Sequence, residues 1–204
     1  MTDHQIPSAS DQPPNRATDR HPELHTVAAV ADDATRGELI REGERPGLRF
    51  VRRYPHPTER VWRALTESEQ LRHWLPCDIV GDRAAGAAIT LPFWSGHAEK
   101  YDIDEPVLTG RIEFWDPPHF FGWTWGGDLL VFELTADGAG TRLVFTTWPE
   151  DPDLAGIASS AGGYHLCLAE LTILLDHGAT PPMTDVDEVA FAWADSYRTQ
   201  FGVD

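Results

Sequence analysis

Basic residues and cysteine are the scarce components of this chain. Its 204 residues carry 16 Lys and Arg against 33 Asp and Glu, a formal net charge of −17, and the pI is near 4.7. Nucleic acid and anionic membrane both require a basic surface, so neither is an expected partner. From residue 111 onward 3 basic residues (Arg111, Arg142, Arg198) stand against 15 acidic ones. Such a surface first serves solubility through self-repulsion. Two cysteines, Cys77 and Cys167, are too few for a disulfide framework. No apolar run is long enough to span a bilayer and no charged-then-apolar leader opens the chain, so a cytoplasmic protein without membrane insertion is expected. A Gly-rich phosphate loop, a Gly-x-Ser-x-Gly elbow and a Cys-x-x-Cys pair are also missing. No catalytic motif and no cofactor is therefore expected.

What is present begins with Leu48 to Pro76, LRFVRRYPHPTERVWRALTESEQLRHWLP. Leu48, Phe50 and the run to Tyr54 read as a strand, with Arg49 and Arg52 interleaved. Pro55 and Pro57 end it, since neither donates to a ladder. Thr58 is placed to cap a helix whose Val61, Trp62 and Leu65 share one face. Thr66 and Glu69 have capping-box spacing, which predicts a second short helix from Thr66, anchored by Leu71, Trp74 and Leu75 and ended by Pro76. Upstream, GELIREGERPGLRFVRR reads as a hairpin with Leu39 and Ile40 on its first strand and its turn at Gly43 to Gly47.

Short strands follow: Cys77 to Val80, Ala87 to Phe93, Val107 to Trp115, Phe120 to Trp125, Leu129 to Thr135 and Thr141 to Thr147. Asp116-Pro117-Pro118, Gly126-Gly127-Asp128 and Ala136 to Gly140 supply the turns of an antiparallel meander. A long helix is predicted from about Ser160 to Asp176, with Tyr164, Cys167, Leu168, Leu171, Leu174 and Leu175 on one face and Gly178 just past its end. A last amphipathic piece, Asp185 to Gln200, carries Val189, Phe191, Trp193 and Tyr197.

RRYPHPTERVWRALTESEQLRHWLP resembles the opening of the heat-shock protein 90 ATPase activator homologue family, within the START-like (SRPBCC, birch-allergen-like) superfamily. GRIEFWDPPHFFGWTW from Gly110, VFELTADGAGTRLVFTTW from Val131 and GGYHLCLAELTILLDHG from Gly162 agree in order, so the resemblance covers roughly residues 36 to 178. Many members of that family have Trp at the position of Tyr164. The resemblance implies an α+β helix-grip fold: a curved antiparallel sheet of about six to seven strands around a long C-terminal helix, with two short helices after the first long strand. Residues 1–25, rich in Pro, Ser, Asp, Asn and Gln, then read as a disordered tail, 26–178 as the START-like domain, and 179–204 as an extension with a short amphipathic helix. That extension either caps the cavity or makes a homodimer.

A sheet wrapped on a helix implies a cavity for a small hydrophobic or aromatic ligand. Trp74, Phe93, Phe114, Trp123, Trp125, Phe132, Phe145, Tyr164, Cys167 and Leu168 are its candidate lining. The same rings serve equally well as core filler. His165 and Tyr164 are the candidate acid–base pair for a cyclase, dehydratase or hydrolase acting on a polyketide-like or aromatic substrate, against a solvated His on the helix flank. Glu113 and Glu133 are expected to face solvent. His97 and Glu99 in a Gly-flanked loop, with Asp102, Asp104 and Glu105, match no metal-site spacing, so no metal is expected. Regulation of a chaperone ATPase through an outer surface is a third reading. It is disfavoured because the activator's second domain and linker are not recognisable here.

Overall fold

Alternation along the first long strand sets the architecture. The computed structural model describes residues 33–180 and 186–203; the expected tail at 1–25 lies outside the described residues. Strand β1 (Glu38–Glu42) turns at Gly43 into β2 (Arg45–Tyr54), where Leu48, Phe50, Arg52 and Tyr54 all face inward. Arg52 therefore shares a face with Phe50 rather than alternating with it. Its guanidinium is tolerated because it donates to the Thr35 carbonyl at 2.6 Å and lies 5.7 Å from the Phe50 ring centre.

Helix α1 (Thr58–Thr66) follows, then the single turn α2 (Ser68–Leu71). Two expected caps are absent. Pro57 occupies the first cap position, and the Thr58 hydroxyl accepts from Thr141 at 3.4 Å. The Thr66 hydroxyl donates back to the Trp62 carbonyl at 2.8 Å instead of opening a capping box, so the next helix starts two residues later. Trp74, just beyond, is fixed by its indole N–H on the Ala64 carbonyl at 2.9 Å.

Cys77 to Val80, expected as a strand, makes only isolated bridges, Cys77 to Phe93 and Val80 to Thr90. The Asp78 carboxylate takes the Ile79 N–H at 2.8 Å, a local bond that competes with a ladder. Strand β3 (Ala88–Pro92) is followed by an unforeseen helix, α3 (Ser95–Lys100), where a Gly-flanked loop was expected. Strands β4 (Val107–Asp116), β5 (Phe120–Trp125), β6 (Asp128–Asp137) and β7 (Gly140–Trp148) complete the meander. The result is one antiparallel seven-stranded sheet in the order β1-β2-β7-β6-β5-β4-β3.

Helix α4 (Leu154–His177) lies across the sheet. It starts six residues before the expected Ser160 because Asp153 caps it, accepting the Gly156 N–H at 2.9 Å, and Ile157 and Ala158 extend its buried stripe. Gly178, at φ 78°, closes it as expected. Helix α5 (Val186–Phe201) packs on α4 from the other side, burying Leu166, Ala169 and Ile173 against Val189, Ala190 and Trp193. Covered on both sides, α4 is apolar nearly all round. Gly162 permits this approach: a Cβ there would meet the Ala190 carbonyl and the Ala194 amide, both at 2.8 Å. Among the described residues no helix is long and apolar enough to cross a membrane.

Candidate functional site

Register places four phenylalanines side by side across four strands. Phe50 pairs with Phe145, Phe145 with Phe132, and Phe132 with Phe121. Their ring centres are 5.9, 4.5 and 4.9 Å apart in that order, and Trp123 stacks on Phe132 at 5.1 Å. These distances are those of ring-on-ring packing. The space directly between sheet and helix is thus filled, and Trp123, Phe132, Phe145 and Leu168 are core residues. Phe114, also expected inside, points outward at 40 % exposure and pairs with Phe120 at 5.2 Å. A register shift between Ile112 and Phe114 breaks the alternation, so Ile112 stays buried while Phe114 faces out.

Open space lies to one side, where α4 passes α3. A cleft of about 730 Å³ runs between Trp74, Trp94 and α3 on one wall and Gly163, Cys167 and Glu170 of α4 on the other. A second hollow of about 380 Å³, lined by Trp125, Tyr164 and Leu108, adjoins it. The two share Leu75, Pro76, Gly163 and Cys167. Gly163 is the junction: a Cβ there would touch nothing within 4 Å. Of the expected lining, Trp74, Trp125, Tyr164 and Cys167 sit here, and Phe93 stands behind, 5.7 Å from His97 and 6.0 Å from Trp125. The Trp94 indole N–H donates to the Leu75 carbonyl at 2.8 Å, which holds that ring as a wall.

The polar groups of the cleft were mostly missed by sequence reasoning. Glu170 is half-buried in it and accepts no hydrogen bond from any described residue; burial pushes its carboxyl up to about 8, with Lys100 acting the other way. Its signal was available, since Gly163, Cys167 and Glu170 fall at helical spacing on one face, and an acid on an otherwise apolar stripe is unusual. Lys100, the only lysine in the chain, is bonded to Asp187 at 2.8 Å. The Tyr101 hydroxyl donates to the same carboxylate. These bonds hold Lys100 above and Asp187 below their ordinary ranges. Burial, with Lys100 beside it, pushes His97 down. Arg72 lies 5.4 Å from the Trp94 ring centre at the mouth. Burial also raises Tyr164 and Cys167 well above their ordinary ranges, so neither ionises near neutrality.

His165 is elsewhere. It is fully buried, not solvated, and faces α5: Nδ1 meets the Tyr197 hydroxyl at 2.8 Å, Nε2 the Thr35 hydroxyl at 3.3 Å, and Trp193 stacks at 3.9 Å. About one hundred degrees of helix rotation per residue separates it from Tyr164, so the two cannot work on one ligand. Glu113 and Glu133 are exposed. Among the described residues no group of three or more His, Cys, Asp or Glu is arranged to hold a metal ion.

Comparison with known proteins adds the lineage. The family described as "Activator of Hsp90 ATPase homolog 1-like protein" matches residues 55–176. A conserved protein of unknown function from Enterococcus faecalis is similar at a TM-score of 0.64 and 17% identity, over 83% of this chain and 95% of that one. CalU16 from Micromonospora echinospora is similar at 0.59 and 16% identity, over 80% and 95%. A Bordetella parapertussis protein solved in solution is similar at 0.60 and 26% identity, over 76% and 85%. No curated protein matches significantly.

Proposed function

The chain belongs to the Activator of Hsp90 ATPase homolog 1-like family, and on that basis we propose that it binds a small hydrophobic or aromatic ligand in the two-part cleft beside α4. The observation that carries this reading is the junction at Gly163. An empty position on a well-packed helix, between walls of Trp74, Trp94 and Trp125, lies where the two hollows meet. Volumes of this size suit a ligand of two or three fused rings. The binding unit is the START-like domain of residues 26–178, and the C-terminal extension contributes one wall through Val186 and Ala190. A reducing cytoplasm suits Cys77 and Cys167, both free thiols.

The family name by itself carries no activity. A catalytic reading through His165 and Tyr164 has only Tyr164 beside the cleft, and a hydroxyl held far above its ordinary range is a poor acid or base near neutrality. No surface feature described above favours a chaperone partner.

Native mass spectrometry of freshly purified protein, followed by titration with a naphthalene-based fluorophore, tests the proposal. Wild type should retain or take up one ligand per chain. Gly163→Leu should remain folded and lose uptake at least tenfold, because its side chain fills the junction. Equal uptake by both proteins would place the ligand elsewhere.

A further inference from the structure

Helix α3 is a lightly held wall of the cleft, for it buries none of its six residues. Its start is fixed: the Trp94 amide donates to the Pro76 carbonyl at 3.1 Å and the indole N–H to the Leu75 carbonyl at 2.8 Å. Midway, His97 lies over the Phe93 ring at 5.7 Å. Among the described residues, the side-chain bonds that tie its far end to another element run to the first turn of α5. Lys100 donates to the Asp187 carboxylate at 2.8 Å, and the Tyr101 hydroxyl donates to the same group.

The two partners in that clasp differ in how firmly they stand. Helix α5 is seated on α4 by the close backbone approach at Gly162 and by Tyr197, fully buried against His165 at 2.8 Å. Its Val186 and Ala190 face the cleft on either side of Asp187 in sequence. The clasp itself is exposed, with 47 % of the Lys100 side chain and 40 % of the Asp187 side chain open to solvent. Such a pair contributes little on its own, and a charge-assisted phenol bond adds to it. A fastening of that strength opens readily at ambient temperature yet still biases a helix with no buried residue toward its closed position. The family match ends at residue 176, ahead of α5, so the clasp joins the matched core to a segment beyond it.

We propose that α3 is a gate on the cleft and α5 its catch: release of Lys100 and Tyr101 by Asp187 lets α3 swing from its Trp94 end and admits or frees the ligand. This rests on the ligand-binding reading of the cleft. A gate that opens equally with and without ligand changes both rates together and leaves affinity alone.

The probe is 6-propionyl-2-(dimethylamino)naphthalene, a neutral fluorophore whose uptake and release are followed by stopped flow. Asp187→Asn should raise both rates about fivefold, with the dissociation constant held within about twofold. Adding Lys100→Met to that variant should change nothing further, since the two residues act through each other. Salt at 1 M should speed wild type toward the variant and leave the variant as it is. A second readout needs no ligand. Lys100 is the only lysine in the chain, so endoproteinase Lys-C has one site, and Asp187→Asn should be cut faster than wild type. Equal ligand rates in wild type and Asp187→Asn overturn the gate, even where cutting speeds up, because then only the lysine side chain was freed. Faster release with weakened affinity and unchanged uptake also overturns it, making Asp187 a support of the bound state. In both cases the cleft stands as a binding site. Failure of wild type to take up the fluorophore overturns that reading and the gate together.

Discussion

Two aromatic regions lie side by side in this molecule, and they are built on opposite terms. Under the sheet, Phe121, Trp123, Phe132 and Phe145 meet one another face to face at separations of 4.5 to 5.5 Å. Beside α4, Trp74 and Trp94 are tethered by their indole N–H groups to backbone carbonyls and leave space in front of them. In the first region rings satisfy rings. In the second the ring's polar edge is anchored to the backbone and the ring stands as a wall of the cleft. Aromatic content alone therefore does not locate a pocket; the fate of the indole N–H and the presence of a side-chain-free position such as Gly163 do.

The comparison breaks most visibly at the centre of the ring ladder. Phe132→Ala should cost about 3–5 kcal/mol of unfolding free energy in urea titrations, the usual penalty for a cavity in a close-packed core. A cost under about 1 kcal/mol would mean that the interior is loose and that the two regions are alike.

A smaller, pH-dependent effect belongs to the cleft. The Glu170 carboxyl ionises at about 8 in the folded chain against an ordinary value of 4.5. Its contribution is fully present below the ordinary value and is lost as pH rises through the folded one. Wild type should thus lose stability relative to Glu170→Gln between about pH 4.5 and pH 8, by no more than about 3 kcal/mol for a half-buried group, and the gap should then stay constant. Paired melting curves over pH 4 to 9.5 check the sign. A gap that widens toward acid contradicts the burial of Glu170.

Adjacent glycines sharpen the contrast further. Gly162→Ala presses a methyl onto the α5 backbone and should cost about 1–3 kcal/mol. Gly163→Ala meets open space and should gain about 0.5–1 kcal/mol from helix propensity. Opposite signs one residue apart would mark the line between packed interface and open cleft.

Much of the fold was legible because periodicity is a property of many residues at once. The hairpin before Tyr54, the meander from Val107 and the apolar stripe of α4 each survive errors at single positions. What failed rested on one or two groups. The Thr66 hydroxyl had two hydrogen-bonding options and took Trp62; Asp78 captured the Ile79 amide and removed a strand. Helix α3 has no apolar repeat to announce it and is held from outside, by Trp94 at its start and Asp187 at its end. The site divided along the same line. Ring positions in strands were readable, but whether a ring faces another ring or a void depends on the register between strands and on how α5 covers α4. Glu170, on the helical face of Gly163 and Cys167, was legible as an acid on an apolar stripe, but the wall it faces across the cleft was not.

The docking of α5 ties together chain segments that are remote in sequence. The Tyr197 hydroxyl accepts the amide of Gly37 at 2.7 Å and touches His165, while Arg36 lies 4.9 Å from the Trp193 ring centre and donates to Ser196 at 2.9 Å. One buried amide proton near the start of the described chain is therefore guarded by a helix near its end. The exchange rate of Gly37 in deuterated solvent is a built-in gauge of whether α5 is seated, readable without any label or mutation.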